Sequence, residues 1–170
     1  MTLATSVASQ KKENKDGRTS LRMWLRLLGC SNLVEREVRG RLRDQFDTTL
    51  PRFDVLAQLD AASREPRREL TMSELSRRLM VTNGNVTSLI ERLVREGLVR
   101  RETSPTDRRT QVVRITAAGK RAFDVMAPEH QRWIDSLFAG LSPVEQTRLH
   151  DLLGKLRDSV QQSLESEDAR

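Results

Sequence analysis

Between Asn83 and Arg95 the chain sets out amide, hydroxyl and guanidinium side chains at close spacing. Asn83, Asn85, Thr87 and Ser88 come first, and Arg92 and Arg95 follow. Short amides and hydroxyls hydrogen-bond base edges or phosphate oxygens, and arginine bonds guanine or phosphate. Gly84 among them lets backbone approach a ligand closely. A second set, Asp107, Arg108 and Arg109, lies in the turn-rich stretch 103–110. Arginines at such a tip suit the narrow, electronegative minor groove of DNA. Asp107 itself repels phosphate. It reads better as a brace that holds an arginine or a backbone amide and so preorganises the tip.

Residues for catalysis are missing. His130 and His150 stand twenty positions apart on different predicted helices, and Cys30 is the single cysteine. No Cys or His pair has metal-ligand spacing. The chain carries neither a glycine-rich phosphate loop nor a nucleophile elbow. An enzyme is therefore not expected, and neither is a cofactor. One cysteine excludes an internal disulfide and suits a reducing compartment. No apolar run approaches the ~18 residues that span a bilayer. Residues 10–20 are polar and charged rather than a signal-peptide core, so a cytoplasmic protein without a membrane partner is expected.

The elements that must position these side chains follow from periodicity. Val86, Leu89, Ile90 and Leu93 recur at i, i+3, i+4 and i+7, which predicts a helix with a buried stripe. Ser88, Glu91, Arg92 and Arg95 fall on its opposite face. Thr82 is its expected N-cap, and Gly97 stops it. Thr71-Met72-Ser73-Glu74 is a capping box opening a shorter helix with Leu75 and Leu79. Ser73, in the first turn of that helix, joins the candidate DNA-binding residues. Two helices joined by the tight break 81–84 have helix-turn-helix geometry. Residues 98–102 and 111–115 then alternate as two short strands around the basic tip, which makes a β-hairpin wing.

Flanking this centre are long apolar helices. Leu21, Trp24, Leu25, Leu28, Leu33, Val34, Val38 and Leu42 predict one over 21–46. A second carries Phe53, Leu56 and Leu59, with Pro51 tolerated in its first turn. Thr116 should cap a long helix through Phe123, Met126, Trp133 and Phe138, kinked or split at Pro128 and closed by Gly140. Ser142-Pro143-Val144-Glu145 starts the last helix, with Leu149, Leu152, Leu153, Leu156 and Val160. The first and last helices are too apolar to stand alone, so they are expected to form a homodimerisation platform. Residues 1–20 read as a disordered tail, and 165–170 as a frayed end.

The 170 residues, 36% hydrophobic and 32% charged, suit one domain, expected over 21–165. Within it, 50–119 forms the DNA-binding lobe and 21–47 with 120–165 the platform. Net charge is +6, and its distribution is uneven. Fourteen Lys and Arg against seven Asp and Glu lie between Arg64 and Arg121, while the remainder holds sixteen against seventeen. A local positive field over the helix-turn-helix points to a polyanion.

Residues 50–119 resemble the MarR family of bacterial regulators, and the likeness extends over 21–160. The most specific marker is an Asp-x-Arg-x5-Leu-Thr-x2-Gly wing motif. It stands here as Asp107-Arg108-Arg109-Thr110-Gln111-Val112-Val113-Arg114-Ile115-Thr116-Ala117-Ala118-Gly119, with Ile115 for leucine. Leu75-Ser76-Arg77-Arg78-Leu79 and Leu93-Val94-Arg95-Glu96-Gly97-Leu98-Val99 are similar to the family's helix-turn-helix and its exit into the wing. The resemblance implies a mainly α fold with a small β-wing, a winged helix-turn-helix on a dimerisation platform. It further implies binding to pseudo-palindromic double-stranded DNA, usually as a repressor released by a small ligand. Leu21-Arg22-Met23-Trp24-Leu25-Arg26-Leu27-Leu28 and Met80-Val81-Thr82-Asn83-Gly84-Asn85-Val86-Thr87 look similar to members that control aromatic-acid catabolism, some responsive to hydroxycinnamoyl-CoA thioesters. Some relatives sense hydroperoxides through a cysteine in the first helix with the help of tyrosines. This chain has no Tyr, so Cys30 reads as a packing residue.

A ligand crevice is expected where the first two helices meet the helix after the wing. Trp24, Leu28, Phe53 and Met126 would supply its walls. Ser31, Arg52 and His130 would supply polar contacts, with Arg52 pairing a carboxylate or a CoA phosphate. The effector class is an aromatic acid or its aryl-CoA thioester. The alternative reading is a ligand-independent winged-helix module for architecture or protein interaction.

Overall fold

A computed structural model describes residues 3–65, 70–79, 83–104, 107 and 109–168, with side chains from 18 onward apart from those of 83, 84 and 168. The elements are α1 (Leu3–Phe46), α2 (Leu50–Ser63), β1 (Leu70–Thr71), α3 (Met72–Leu79), α4 (Asn83–Arg95), β2 (Val99–Thr103), β3 (Gln111–Ile115), α5 (Ala117–Phe138) and α6 (Pro143–Asp168). By their contacts they fall into two units, Met1–Ala127 and Pro128–Arg170.

In the first unit α1 ends at Asp47, which adopts a left-handed φ of 47°. Thr48 N–H bonds back to the Leu42 carbonyl at 3.3 Å, which closes the helix end. Thr49, extended at the N-cap, and Pro51 in the first turn start α2. The core forms where α2, α3, α4 and the sheet converge. Leu42, Val55, Leu56, Leu70, Leu75, Val86, Ile90, Leu93, Val99 and Val112 are fully buried there. Of the stripe expected on α4, only Leu89 is left partly exposed.

The sheet is antiparallel in the order β1-β3-β2. Val99 pairs with Ile115 and Thr103 with Gln111 along the hairpin, while Leu70 pairs with Val113 at the other edge. The strand β1 is not foreseen in the sequence. Two residues are too short to show an alternation.

The second unit holds the remainder of α5 and α6. Ser142 Oγ and N–H both donate to the Glu145 carboxylate, at 2.7 and 2.9 Å, and Glu145 N–H returns to Ser142 Oγ at 3.4 Å. This is the expected capping box. Trp133 is buried with the His130 ring 6.3 Å away at its edge. Leu152, Leu153, Leu156, Val160 and Leu164 of α6 lie exposed.

The helix α1 already runs from Leu3, within the stretch read as a tail. The stretch lacks Pro and holds one Gly, so extending a helix already nucleated by 21–46 costs little. Beyond Ala127, in the second contact unit, Trp133 is the only buried apolar side chain among the described residues. Of the two outcomes expected at Pro128, a kink or a split, the split does not occur: α5 stays helical to Phe138. Pro128 removes one backbone donor, and the turns on either side keep theirs. The last helix persists to Asp168 rather than fraying at 165.

Candidate nucleic-acid interface

Local chemistry fixes the helix-turn-helix. Thr71 N–H and Oγ1 donate to the Glu74 carboxylate at 2.8 and 2.9 Å, and Glu74 N–H donates to Thr71 Oγ1 at 3.2 Å. The Thr71 amide holds the Glu74 carboxyl below its usual range. With its start so fixed, α3 buries Leu75 and Ser76, while Arg78 donates to Gln58 of α2 at 3.2 Å. Ser73 is exposed in its first turn.

At the far end α4 closes on Gly97 at φ 72°. Gly97 N–H bonds the Val94 carbonyl and Leu98 N–H the Leu93 carbonyl, both at 2.9 Å. That pair of bonds is a Schellman motif, and it needs a left-handed residue that glycine supplies without strain. Because Val86, Ile90 and Leu93 point fully inward, α4 must turn its other face outward. Asn85, Thr87, Ser88, Glu91, Arg92 and Arg95 are all exposed. Asn83 and Gly84 fall in the first turn of α4. Thr82, the expected N-cap, lies outside the described residues, as does Arg108.

The wing is braced at both ends. At its tip the Asp107 carboxylate accepts from Arg109 N–H at 2.9 Å and from Thr110 Oγ1 at 2.7 Å. The same bonds, the Arg109 amide foremost, hold its carboxyl below the usual carboxylate range. Thr110 N–H returns to the Asp107 carbonyl at 3.0 Å and Ser104 N–H to the Thr110 carbonyl at 2.9 Å. Of the two brace partners considered for Asp107, the backbone amide is the one present among the described residues. Arg109 is left exposed.

At the wing base Thr116 Oγ1 donates to the carbonyls of Gly97 and Leu98, at 2.7 and 3.1 Å, and accepts from Gly119 N–H at 3.0 Å. A Cβ on Gly119 would stand 2.0 Å from the Leu98 carbonyl oxygen, so only glycine fits. The Thr-x2-Gly end of the motif thus clamps the start of α5 onto the turn that leaves α4.

Several acidic residues that tie this surface together were not singled out from the sequence. Glu102 accepts from Arg100 at 2.8 Å and Arg114 at 3.0 Å across the wing. Asp60, with its side chain only 3% exposed, pairs with Arg64 at 2.6 Å and Lys120 at 3.3 Å, joining α2 to α5. Glu96 pairs with Arg52 and, at 3.2 Å, with Arg92. For Glu96 and Glu102 the signal was the interleaving of single acids among the arginines of 64–121, which a net count conceals.

The seven expected ligand contacts divide. Phe53 is buried, its ring 5.5 Å from that of Phe123, and Met126 is buried too. Trp24, Leu28 and Ser31 are exposed along α1. Arg52 is mostly buried and engaged by Glu96. Burial lowers the affinity of the His130 imidazole for a proton. The open clefts along α1 from Asn32 to Arg43 and around Arg95 of α4 are lined by none of the seven.

A model of the MarR family matches residues 46–110. The HTH-type transcriptional regulator YkoM of Bacillus subtilis is 35% identical over 124 residues, covering 73% of this chain and 76% of that protein. An HTH-type transcriptional regulator of Bacillus cereus is 29% identical over 143 residues, covering 84% and 91%. Among solved structures, Sco3205, a MarR family regulator from Streptomyces coelicolor in complex with DNA, superposes with a TM-score of 0.72 at 25% identity, covering 83% of this chain and 87% of that one. A mutant of MarR from E. coli complexed with operator DNA gives 0.70 at 25% identity, covering 81% and 95%. The fold and site thus define a winged helix-turn-helix DNA-binding regulator of transcription, not an enzyme. The chain belongs to the MarR family. No helix among the described residues is long and apolar enough to cross a membrane.

Proposed function

We propose that this protein is a cytoplasmic, homodimeric repressor that binds a pseudo-palindromic operator. In this reading Asn85, Thr87 and Ser88, with Asn83, discriminate bases in the major groove, while Ser73, Arg92 and Arg95 bond the backbone. Arg109, from a tip that also carries Arg108, enters the adjacent minor groove. The observation that carries the reading is the division of α4: Val86, Ile90 and Leu93 are fully buried in the core, and its amide, hydroxyl and guanidinium side chains face out beside a braced basic hairpin. The exposed leucines of α1 and α6 suit a second copy of the chain as their cover.

The effector is an aromatic acid or its CoA thioester, with Trp24, Leu28, Ser31, Phe53 and Met126 as its candidate contacts. It acts by favouring a separation of the two lobes at which their recognition helices miss adjacent grooves. Two measurements test this. Asn85→Ala should cost roughly 1–3 kcal/mol on a duplex selected from random DNA and relax the preference at one position. Unchanged affinity and preference would remove Asn85 from the site. A thermal-shift and DNA-titration screen of aromatic acids and thioesters should find one that raises the dissociation constant for DNA. If none does, the ligand-independent module is the better reading.

A further inference from the structure

Glu96 is in the wrong place for a carboxylate that merely finishes a helix. It directly follows α4, at the end where the backbone carbonyls gather negative charge and where a cation or a neutral residue is favoured. The turn is already closed by the two backbone bonds at Gly97, so it does not need this side chain. Glu96 instead spends both oxygens on arginines from two different elements.

The first is Arg52, in the opening turn of α2, whose guanidinium donates to Glu96 Oε2. The Arg52 side chain is only 14% exposed, and its Nε is buried without a hydrogen-bond partner among the described residues. A guanidinium that far from water needs a counter-ion, and Glu96 is the one it has among the described residues. This anchors the Glu96 side chain, itself 33% exposed. The second is Arg92, one turn back on the outer face of α4 and 64% exposed, whose Nε donates to Glu96 Oε1 at 3.2 Å. Asn85, Ser88 and Arg92 lie at i, i+3 and i+7, on the same face. Held by Nε, Arg92 keeps its two terminal nitrogens, the pair that grips a phosphate in a fork, for another acceptor.

We propose that Glu96 is a positioning residue for DNA recognition: anchored by buried Arg52, it orients Arg92 by the Nε and presents the terminal nitrogens of Arg92 to a DNA phosphate. This rests on the reading of α4 as the recognition helix with Arg92 at the backbone. Two effects of Glu96 oppose each other. Its charge repels phosphate wherever the protein sits on DNA, with the reach and salt sensitivity of an exposed charge. Its grip on Arg92 helps only where the register of α4 matches a site, because ordering a long side chain in advance spares that loss on binding. The first effect is blind to sequence and the second is not.

The full-length protein would therefore be titrated with a duplex selected from random DNA and with a scrambled duplex at one salt concentration. Wild type, Glu96→Gln, Arg92→Ala and the double variant would be compared. Glu96→Gln should weaken the selected duplex by about fivefold and bind the scrambled one as well as wild type or better. Arg92→Ala should weaken both, and adding Glu96→Gln to it should cost nothing more on the selected duplex. Wild-type or tighter binding of the selected duplex by Glu96→Gln would overturn the proposal, as would a loss that persists in full without Arg92. An Arg92→Ala variant with unaltered affinity would instead remove the reading of Arg92 on which the proposal stands. If Glu96→Gln fails to fold, Glu96→Asp decides. It keeps the charge but falls one methylene short of bridging both arginines, so it should weaken the selected duplex without improving the scrambled one. Wild-type affinity in that variant contradicts the proposal.

Discussion

At the scale of single residues, Asp107 shows how an acid serves a surface meant for an anion. Both of its oxygens are occupied by the amide of Arg109 and the hydroxyl of Thr110, so the wing tip is formed before DNA arrives. Asp107→Ala should weaken binding to a selected duplex by roughly threefold to tenfold, although it removes a negative charge from the interface. Tighter binding in a filter or anisotropy titration would show that repulsion outweighs the brace. Asp54 poses a different problem. Burial on α2, and then the nearby Glu35 of α1, push its carboxyl up to about 6, against a smaller opposing effect of Arg39. A carboxyl whose folded value is raised contributes stability that is complete below about pH 4 and is lost as pH rises through about 6. Asp54→Asn should therefore stabilise the fold at pH 7.5 by on the order of 1 kcal/mol, seen as a higher melting temperature, and leave it unchanged near pH 4. A gain of equal size at both pH values would mean that ionisation is not the cause.

At the scale of elements, the wing depends on a backbone approach at its base. Gly119→Ala would drive a methyl into the Leu98 carbonyl and separate α5 from the turn after α4. A cost of about 2 kcal/mol or more is expected in urea unfolding, along with loss of DNA affinity. An alanine variant of wild-type stability would mean that the clamp yields freely. Most of these elements were legible in the sequence because each carries its own local signal. The Thr71 and Ser142 boxes, the stripe of α4, Gly97 and the strand at 111–115 all stand where they were read, although Val112 and Val113 are buried in succession rather than in alternation. What escaped is what local pattern does not encode. Leu70 and Thr71 become a strand only because Val112 and Val113 lie beside them. Residues 3–20 are helical because the helix that follows carries them along, against a composition that reads as coil. The outward residues of α4 were legible by elimination, once its apolar stripe was assigned inward. The pairs of Glu96 with Arg52 and of Asp60 with Lys120 were not, since the partners lie 44 and 60 positions apart on different elements.

At the scale of the whole molecule, charge and apolar surface are separated. The basic excess sits on the winged lobe between Arg64 and Arg121, and the uncovered leucines sit on α1 and α6. A chain with this much exposed leucine should associate, so the mass in solution at micromolar concentration should be twice 19.5 kDa. A 19.5 kDa particle that binds its operator at full affinity would reject the dimer. The basic lobe also predicts that affinity for any duplex falls steeply with salt, which makes affinity alone a poor witness to recognition. The decisive quantity is the ratio of dissociation constants for a duplex selected from random DNA and for its scrambled counterpart, measured together near physiological salt. The division of α4 into a buried stripe and an outward row of amides, hydroxyls and arginines predicts a ratio of at least about 10³ in favour of the selected duplex. A ratio near one, with no sequence enriched in the selection, would contradict it.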